Sequence, residues 1–116
     1  MKKILIVDNE ECILEALGLI LNDAGYKVET CLEIGILKVK KSSPDLILLD
    51  MRLSGKNGGE IARKLKSDKG TKRIPVILIS ASTINAEMIK KYGADDYIQK
   101  PFDIDFLLKK VEKYIG

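Results

Sequence analysis

Acidic, hydroxyl and ammonium side chains follow four apolar runs of the chain, each just after the run ends. They are Asp8, Asp50, Ser80 and Lys100. Two carboxylates that lie together repel each other and favour a bound cation at neutral pH, and oxygen ligands select a hard ion such as Mg²⁺. An aspartate can form an acyl phosphate, and phosphoryl transfer needs little beyond in-line positioning and charge neutralisation. These residue types therefore predict phosphoryl chemistry with Mg²⁺, provided that the fold brings them together.

The apolar runs themselves predict the strands that would do so. Ile4–Val7, Leu46–Leu49 and Val76–Ile79 are the uninterrupted runs expected of strands buried on both faces. Lys27–Thr30 and Tyr97–Ile98 predict two shorter strands. Segments with apolar residues at helical spacing separate and follow these strands.

Caps and helix-stopping residues mark five expected helices. These are Ile13 to Ala24 before Gly25, Ile34 to Lys41, Ile61 to Leu65 after a loop from Ser54 to Gly59, Met88 to Tyr92 between a cap at Asn85 and Gly93, and Leu107 to Ile115 after a cap at Asp103. Buried strands joined by helices predict an α/β fold, a five-stranded parallel sheet in a doubly wound, flavodoxin-like (βα)5 sandwich. Ligands of such sheets bind beyond the carboxyl ends of the strands, so the four side chains are expected at one edge.

Size and charge narrow the class of protein. A length of 116 residues fits one domain, residues 1–116, which can bury a core without disulfides or a structural metal. The net charge is only +3, from 20 Lys and Arg against 17 Asp and Glu, and the lysines are scattered. This pattern predicts solvated helix surfaces and no direct binding of nucleic acid. The absence of histidine excludes histidine triads and histidine metal sites.

The two cysteines and the length of the apolar stretches indicate the cellular location of the protein. Cys12 and Cys31 lack a CxxC or metal-ligand spacing, and free thiols in a reducing cytosol are favoured over a disulfide. No apolar stretch approaches the roughly 18 residues of a membrane span. The first residues lack the longer apolar region and cleavage site of a signal peptide. We therefore expect a cytoplasmic protein without a membrane partner.

Four segments of the chain resemble the receiver domains of bacterial response regulators, including the single-domain chemotaxis type. They are Ile4–Glu10, Pro44–Leu53, Ile74–Ala81 and Gly93–Phe102. The resemblance extends over the whole chain, and its motifs occur in the order and at the spacing of that family. It implies a phosphoacceptor domain of a two-component system, whose catalysis is limited to its own phosphorylation and dephosphorylation.

The resemblance also implies roles for the residues at the predicted phosphorylation and metal site. Asp50 matches the phosphoacceptor. Asp8 and Asn9 occupy the acidic-pair positions that hold Mg²⁺ together with Asp50, and the backbone carbonyl of Arg52 is expected to complete the metal site. The phosphoryl donor implied is a sensor histidine kinase or a histidine phosphotransfer protein that docks near the first helix.

Further matches imply a switch. Ser80 corresponds to the hydroxyl that closes onto the phosphoryl group, and Tyr97 to the aromatic residue that then turns inward. Lys100 matches the lysine that pairs with the acceptor or its phosphoryl oxygen, and a cis bond before Pro101 is expected from the family. The downstream effector cannot be read from the sequence, which also leaves open whether the chain acts alone or within a longer regulator.

The sequence departs from the family pattern in four places. Asn9 stands where a second acid is usual, so it keeps an oxygen ligand but loses a charge, and weaker Mg²⁺ binding is expected. Ser54 replaces a common proline, which loosens the loop, and Asn57 replaces a common aspartate. The segment from Ser80 to Gly93 is shorter than usual, so an abbreviated fourth helix or entry loop is expected.

Two other functions fit parts of the pattern. A phosphorylation-independent interaction module is motivated by Asn9, through weakened metal binding. A flavodoxin-type cofactor carrier has the same strand pattern. However, the acidic segment Asp8–Glu11 stands where a phosphate cradle would be rich in Ser, Thr and Gly. A phosphorylatable switch accounts for more of the residues than either alternative.

Overall fold

The computed structural model describes residues 1–53, 55–83 and 85–116. Within these ranges the strands are β1 Lys3–Val7, β2 Lys27–Cys31, β3 Leu46–Asp50, β4 Arg52–Leu53, β5 Lys56–Asn57, β6 Val76–Ser80 and β7 Asp96–Gln99. The helices are α1 Glu11–Asp23, α2 Ile36–Ser42, α3 Gly58–Ser67, α4 Ala86–Tyr92 and α5 Ile104–Ile115. None of these helices is long and apolar enough to cross a membrane.

Five strands form one parallel sheet in the order β2-β1-β3-β6-β7. The chain therefore steps outward from β1 to β2, crosses back to β3 and continues to the other edge. The strand order reverses between β1 and β3, which is where ligands bind in sheets of this type. This topology confirms the predicted doubly wound α/β fold.

Side chains of the central strands alternate between the two faces of the sheet, and this divides the core into two layers. Ile4 and Ile6 of β1 belong to a cluster with α1 and α5, whereas Leu5 and Val7 belong to a cluster with α2, α3 and α4. Successive side chains of a strand point to opposite faces of the sheet, so a strand covered on both faces must be apolar throughout. Full burial of one such side chain contributes roughly 1.5–3 kcal/mol.

The helix boundaries confirm some predicted caps and correct others. The Asn85 side chain caps α4 by accepting a hydrogen bond from the Met88 N–H at 2.9 Å, and Gly93 ends this seven-residue helix at a φ of 72°. Asp103 does occupy the N-cap position of α5, but its side chain makes no capping hydrogen bond. The second helix begins at Ile36 rather than at residue 34, because Gly35 before it is extended.

The segment after β3 also differs from the sequence prediction. It was expected to be a loop from residue 54 to residue 59, but β4 and β5 form a short antiparallel hairpin there. The Asn57 side chain then accepts a hydrogen bond from the Gly59 N–H at 2.7 Å, so that α3 begins at Gly58. Ser54, the expected site of a looser loop, lies outside the described residues.

Two adjacent aspartates at the start of β7 tie the sheet to both helical layers. Asp95 accepts a hydrogen bond from Lys66 of α3 at 2.8 Å. Asp96 accepts from Lys110 at 2.8 Å and from the Tyr114 hydroxyl at 2.9 Å, both on α5. Burial alone would raise the pKa of Asp96, but these hydrogen bonds, led by that from Lys110, hold the pKa below its usual value. Burial and the contact with Asp96 raise the pKa of Tyr114 to about 12.

A glycine allows α3 and α4 to pack closely. The buried ring of Tyr92 on α4 lies against Gly59 of α3, where an added Cβ would stand 2.5 Å from the ring. Alanine is normally favoured over glycine in a helix by up to about 1 kcal/mol. At residue 59 the ring reverses this preference.

We expect Gly59→Ala to lower the free energy of unfolding by about 1–3 kcal/mol, as is typical of overpacked cores. Tyr92→Leu removes the ring, so the same Gly59→Ala change should be neutral or stabilising in that background. Urea unfolding of the four proteins measures the difference as a double-mutant cycle. Equal costs in the two backgrounds would contradict the packing argument.

Candidate functional site

The register of the sheet places the predicted site residues at one edge. Val7 of β1 pairs with Leu49 of β3, so the residues that follow, Asp8 and Asp50, leave neighbouring strands side by side. Beyond β7, the Lys100 N–H donates to the carbonyl of Ser80 at 2.7 Å, which joins the ends of β6 and β7. The four side chains singled out in the sequence thus occupy the carboxyl edge of the sheet.

One ammonium group faces both carboxylates. Lys100 Nζ lies 3.3 Å from Asp8 Oδ2 and 3.8 Å from Asp50 Oδ2. Asp8 is 1% exposed and Asp50 is 5% exposed, so both charges are nearly removed from water. Opposite charges this close and this poorly hydrated attract strongly, and Lys100 thus offsets part of the repulsion between the two acids.

The remaining carboxylate oxygens are held by the turns that follow the strands. Asp8 Oδ1 accepts a hydrogen bond from the Glu10 N–H at 2.9 Å, and Asp50 Oδ1 accepts one from the Arg52 N–H at 3.3 Å. Each acid therefore has one oxygen fixed by its own backbone turn and the other facing Lys100. This arrangement holds both Oδ2 atoms towards a common point.

The pKa of Asp50 is raised above its ordinary value. Burial is the main cause, and the neighbouring negative charge of Asp8 adds to it. The hydrogen bond from the Arg52 backbone and the charge of Lys100 act in the opposite direction without cancelling the rise. Ionised Asp50 is thus held in a folded chain that would be more stable if this group were neutral.

Gly58 allows the backbone after β3 to close on Asp50. Its N–H donates to the Met51 carbonyl at 2.8 Å, and an added Cβ would collide with the carbonyl oxygen of Asp50. Sequence reasoning missed this residue, because a glycine in a polar loop indicates only a turn. The collision arises because the start of α3 lies against the end of β3, and no local sequence pattern predicts this contact.

The donor set fits a hard cation that takes few protein ligands. Asp8 and Asp50 present two converging carboxylate oxygens, and Mg²⁺ is often held by one or two carboxylates while it keeps several waters. Asn9, the third side chain expected there, is exposed. Within the three described ranges no group of three or more acids, cysteines or histidines is arranged for a metal.

The two expected switch residues lie on β6 and β7, on the other side of β3 from Asp8. Ser80 is buried at the end of β6, and its Oγ accepts a hydrogen bond from the Ser82 N–H at 3.0 Å. Tyr97 of β7 is half-buried and packs against the core layer of α2, α3 and α4. The Lys100–Pro101 peptide bond is cis. The structure therefore brings Asp8, Asp50 and Lys100 into contact, with Ser80 on the adjoining strand.

Known proteins similar to this chain share its fold and much of its sequence. The family model described as the response regulator receiver domain matches residues 4–112. The phosphate regulon transcriptional regulatory protein PhoB of Pseudomonas aeruginosa is 44% identical over an alignment of 108 residues, and the match covers 87% of this chain and 46% of that protein. The chain spans about half the length of the curated relatives it matches.

Solved structures extend the similarity to the whole chain. The chemotaxis protein CheY4 of Vibrio cholerae superimposes with a TM-score of 0.89 at 28% identity, covering 98% of each chain. The receiver domain of a sensor histidine kinase of Pseudomonas aeruginosa gives a TM-score of 0.83 at 25% identity, covering 99% of this chain and 98% of that one. That structure contains a magnesium ion coordinated in its active-site cleft.

The raised pKa of Asp50 predicts a gain in stability when its charge is removed. A group whose pKa is higher in the folded state stabilises the fold at pH values below its unfolded pKa, which is about 3.9 for Asp. That stabilisation is lost as the pH rises through the pKa of the folded state. Asp50→Asn should therefore raise the free energy of unfolding at neutral pH, without divalent ions, by on the order of 1 kcal/mol.

Urea unfolding in EDTA, at neutral pH and near pH 3.5, measures this effect. The difference between Asp50→Asn and the wild type should largely disappear at the lower pH, where both side chains are neutral. Glu33→Gln, the same loss of charge at an exposed residue between β2 and α2, is the control and should not reproduce the gain at neutral pH. An Asp50→Asn protein that is less stable than wild type at neutral pH would rule out the proposed electrostatic cost.

Proposed function

Because the chain belongs to the response regulator receiver domain family, we propose that residues 1–116 form a receiver domain that accepts a phosphoryl group on Asp50. The observation that carries the proposal is the convergence of Asp8, Asp50 and one ammonium group, Lys100, at the switch point of the sheet. This is the position where a doubly wound sheet binds its ligand. The family identifies a signalling domain rather than a conventional enzyme.

In the proposed transfer, Asp50 Oδ2 acts as the nucleophile. It attacks the phosphorus of a phosphohistidine on a sensor histidine kinase or a histidine phosphotransfer protein. The P–N bond breaks, and the histidine nitrogen leaves with the bonding electron pair and takes a proton. Lys100 Nζ, 3.8 Å from the nucleophile, then pairs with a phosphoryl oxygen as a mobile point charge.

Asp8 and Asp50 are the side chains proposed to hold Mg²⁺, with Asn9 and the Arg52 carbonyl as further oxygen donors. When bound, the ion would neutralise the carboxylates and the incoming phosphoryl oxygens, as metal ions generally do in phosphoryl transfer. The closeness of the two carboxylates, both beside Lys100 at the carboxyl edge of the sheet, supports this assignment. The magnesium ion in the similar receiver domain of a sensor histidine kinase supports it further.

A switch follows from the residues at the ends of β6 and β7. The Ser80 hydroxyl accepts a hydrogen bond from the Ser82 N–H, which leaves its own proton able to donate to a phosphoryl oxygen on Asp50. Closure of Ser80 would make room for Tyr97 to turn inward from its half-buried position. The surface around β7 and α5 would then change shape and signal to an effector.

A cytoplasmic location is also part of the proposal. Cys12 and Cys31 are both free in the structure, the first exposed and the second buried. Free thiols are typical of a reducing compartment. The kinase or phosphotransfer partner is proposed from the family alone.

Phosphorylation by a small donor tests the proposed acceptor. Purified protein incubated with Mg²⁺ and acetyl phosphate should gain the mass of one phosphoryl group, as measured by intact-mass spectrometry. Asp50→Asn should gain none, because its amide is not a nucleophile, whereas the matched Asp45→Asn change should leave the reaction intact. Addition of EDTA should abolish labelling in every case.

A phosphorylated form that hydrolyses quickly could escape this assay. Beryllium fluoride mimics the bound phosphoryl group, so NMR spectra with and without it provide the check. Shifts at residues 50, 80 and 97 that depend on Mg²⁺ are expected. No labelling together with unchanged spectra would contradict the assignment of Asp50 as the acceptor.

Because residue 9 is an asparagine, we expect weak binding of Mg²⁺, which the substitution Asn9→Asp should strengthen. Asn9→Asp adds a third carboxylate, and ligand charge is a principal determinant of affinity for hard cations. We expect the dissociation constant for Mg²⁺, measured by NMR titration, to fall by roughly tenfold, equivalent to about 1.4 kcal/mol. A rise of the same size in the dissociation constant of Glu10→Gln, which removes a neighbouring negative charge, would show that net charge, rather than ligation by residue 9, controls the affinity.

A further inference from the structure

A pocket opens between α2 and α3, on the face of the sheet opposite α1 and α5. It has a volume of about 380 Å³, at the lower end of the range for pockets that bind small molecules. Its lining comes from the start of α2, from β5 and from α3. We refer to this space as the α2–α3 pocket.

The floor of the α2–α3 pocket is the hydrophobic core itself. Ile34 and Leu65 line the pocket, and both are buried members of the core layer of α2, α3 and α4. Ile36 and Ile61 also line it, and they are partly buried against the same layer. The pocket is therefore a depression in packed apolar side chains, and an apolar group placed there would be removed from water.

Two features at the start of α2 leave this depression open. Gly35 precedes the helix in an extended conformation, and beyond its chain neighbours no heavy atom lies within 4 Å of an added Cβ. Leu37 lines the pocket from the first turn of α2, yet it remains 83% exposed. A large apolar side chain at the edge of an apolar pocket gains free energy when a ligand covers it.

Two lysines supply the charge of the pocket. Lys56 of β5 and Lys64 of α3 line it, and none of its described lining residues is acidic. Both lysines are exposed, and neither takes part in an ion pair among the residues that the structure describes. The nearby Lys66, in contrast, is paired with Asp95. The pocket thus combines an apolar floor with two ammonium groups that can receive an anion.

This combination favours a small molecule with an apolar body and one anionic group. A hydrocarbon chain would occupy the space above Ile34 and Leu65. A carboxylate at its end would meet Lys56 and Lys64, and hydrogen bonds between ionised groups are stronger than those between neutral ones. Lysine stems lie readily along apolar surface while the charged ends stay in water, so the ammonium groups can reach the carboxylate without being buried.

A protein partner fits the pocket less well. Specific protein interfaces bury about 800 Å² on each partner, and charged residues are depleted at their centre. On the side of α3, however, the exposed surface next to the pocket carries Glu60 and Arg63, which face each other at 4.0 Å. The apolar surface therefore ends at the pocket on this side, and its small volume favours a small ligand.

We propose that the α2–α3 pocket binds a carboxylic acid with a hydrocarbon chain of medium length. Its residues differ from those proposed to take part in phosphoryl transfer, so the inference goes beyond the proposed function. Binding should need no Mg²⁺ and should persist in Asp50→Asn. Failure of one proposal can therefore be distinguished from failure of the other.

Four small molecules separate the contributions of charge and chain. Octanoate has both, acetate has only the negative charge, octan-1-ol has only the chain, and octylamine carries the opposite charge at neutral pH. Titration of octanoate into ¹⁵N-labelled protein in EDTA should give saturable amide shifts at residues 35, 37, 61 and 64. Octan-1-ol should bind several-fold more weakly, and acetate and octylamine at least about tenfold more weakly, because each lacks one of the two attractions.

A substitution at Lys64 tests the role of charge. Lys64→Met removes the ammonium and keeps an apolar stem of similar length. It should weaken binding of octanoate by about fivefold, since one of two charge-assisted contacts is lost, and it should not weaken binding of octan-1-ol. Lys109→Met, the same change at an exposed site of α5, should alter neither affinity.

A substitution at Leu37 tests the apolar wall. Because this side chain is 83% exposed, Leu37→Ala should leave the urea stability of the protein unchanged. It should weaken binding of octanoate and of octan-1-ol to the same extent, by about threefold, since both chains lose the same apolar contact. Leu19→Ala, which shortens a leucine that is 73% exposed on α1, should affect neither.

Four results would overturn the proposal. They are no saturable shifts with octanoate, shifts confined to other surfaces, octylamine binding as tightly as octanoate, and equal effects of Lys64→Met and Lys109→Met. Shifts at the pocket from a peptide rich in Leu and Asp, with none from octanoate, would assign the pocket to a partner protein. A dimer in sedimentation velocity that Leu37→Ala dissociates would assign it to a second copy of the chain.

Discussion

The attraction between Lys100 and two nearly buried carboxylates controls the electrostatics of the site. Asp8 and Asp50 leave adjacent strands, so the sheet forces their charges together, and burial removes the water that would screen them. One ammonium group offsets this only in part, and the pKa of Asp50 stays raised. Any added positive charge would therefore stabilise ionised Asp50, the proposed acceptor.

The position of that ammonium depends on β7, and β7 is fixed at both ends. Near its start, Asp95 and Asp96 bind side chains of α3 and α5. Beyond its end, the Lys100 N–H binds the Ser80 carbonyl. Ser80 is also the proposed switch hydroxyl, so the strand ends that position the cation are the same ones expected to move on phosphorylation.

Much of this arrangement could be predicted from the sequence, because the sheet depends on local patterns. Runs such as Leu46–Leu49 identify buried strands, and parallel strands bring the residues after them to one edge. The contact of Gly58 with Asp50 and the Tyr92 ring on Gly59 could not be predicted, because they depend on how α3 and α4 return to the sheet.

Asn9 has a physical consequence that links stability to metal binding. With Asp8, Asp50 and Lys100, the site carries one net negative charge, and an aspartate at the exposed residue 9 would add another next to Asp8 in the sequence. In the proposed metal site, the amide would lower the repulsion between the acids without a metal, and it would lower the attraction for Mg²⁺ for the same reason. Because both effects arise from one charge, a substitution that strengthens metal binding here is expected to cost stability in the metal-free protein. On this proposal, residue 9 sets the balance between the stability of the metal-free domain and its affinity for the cation.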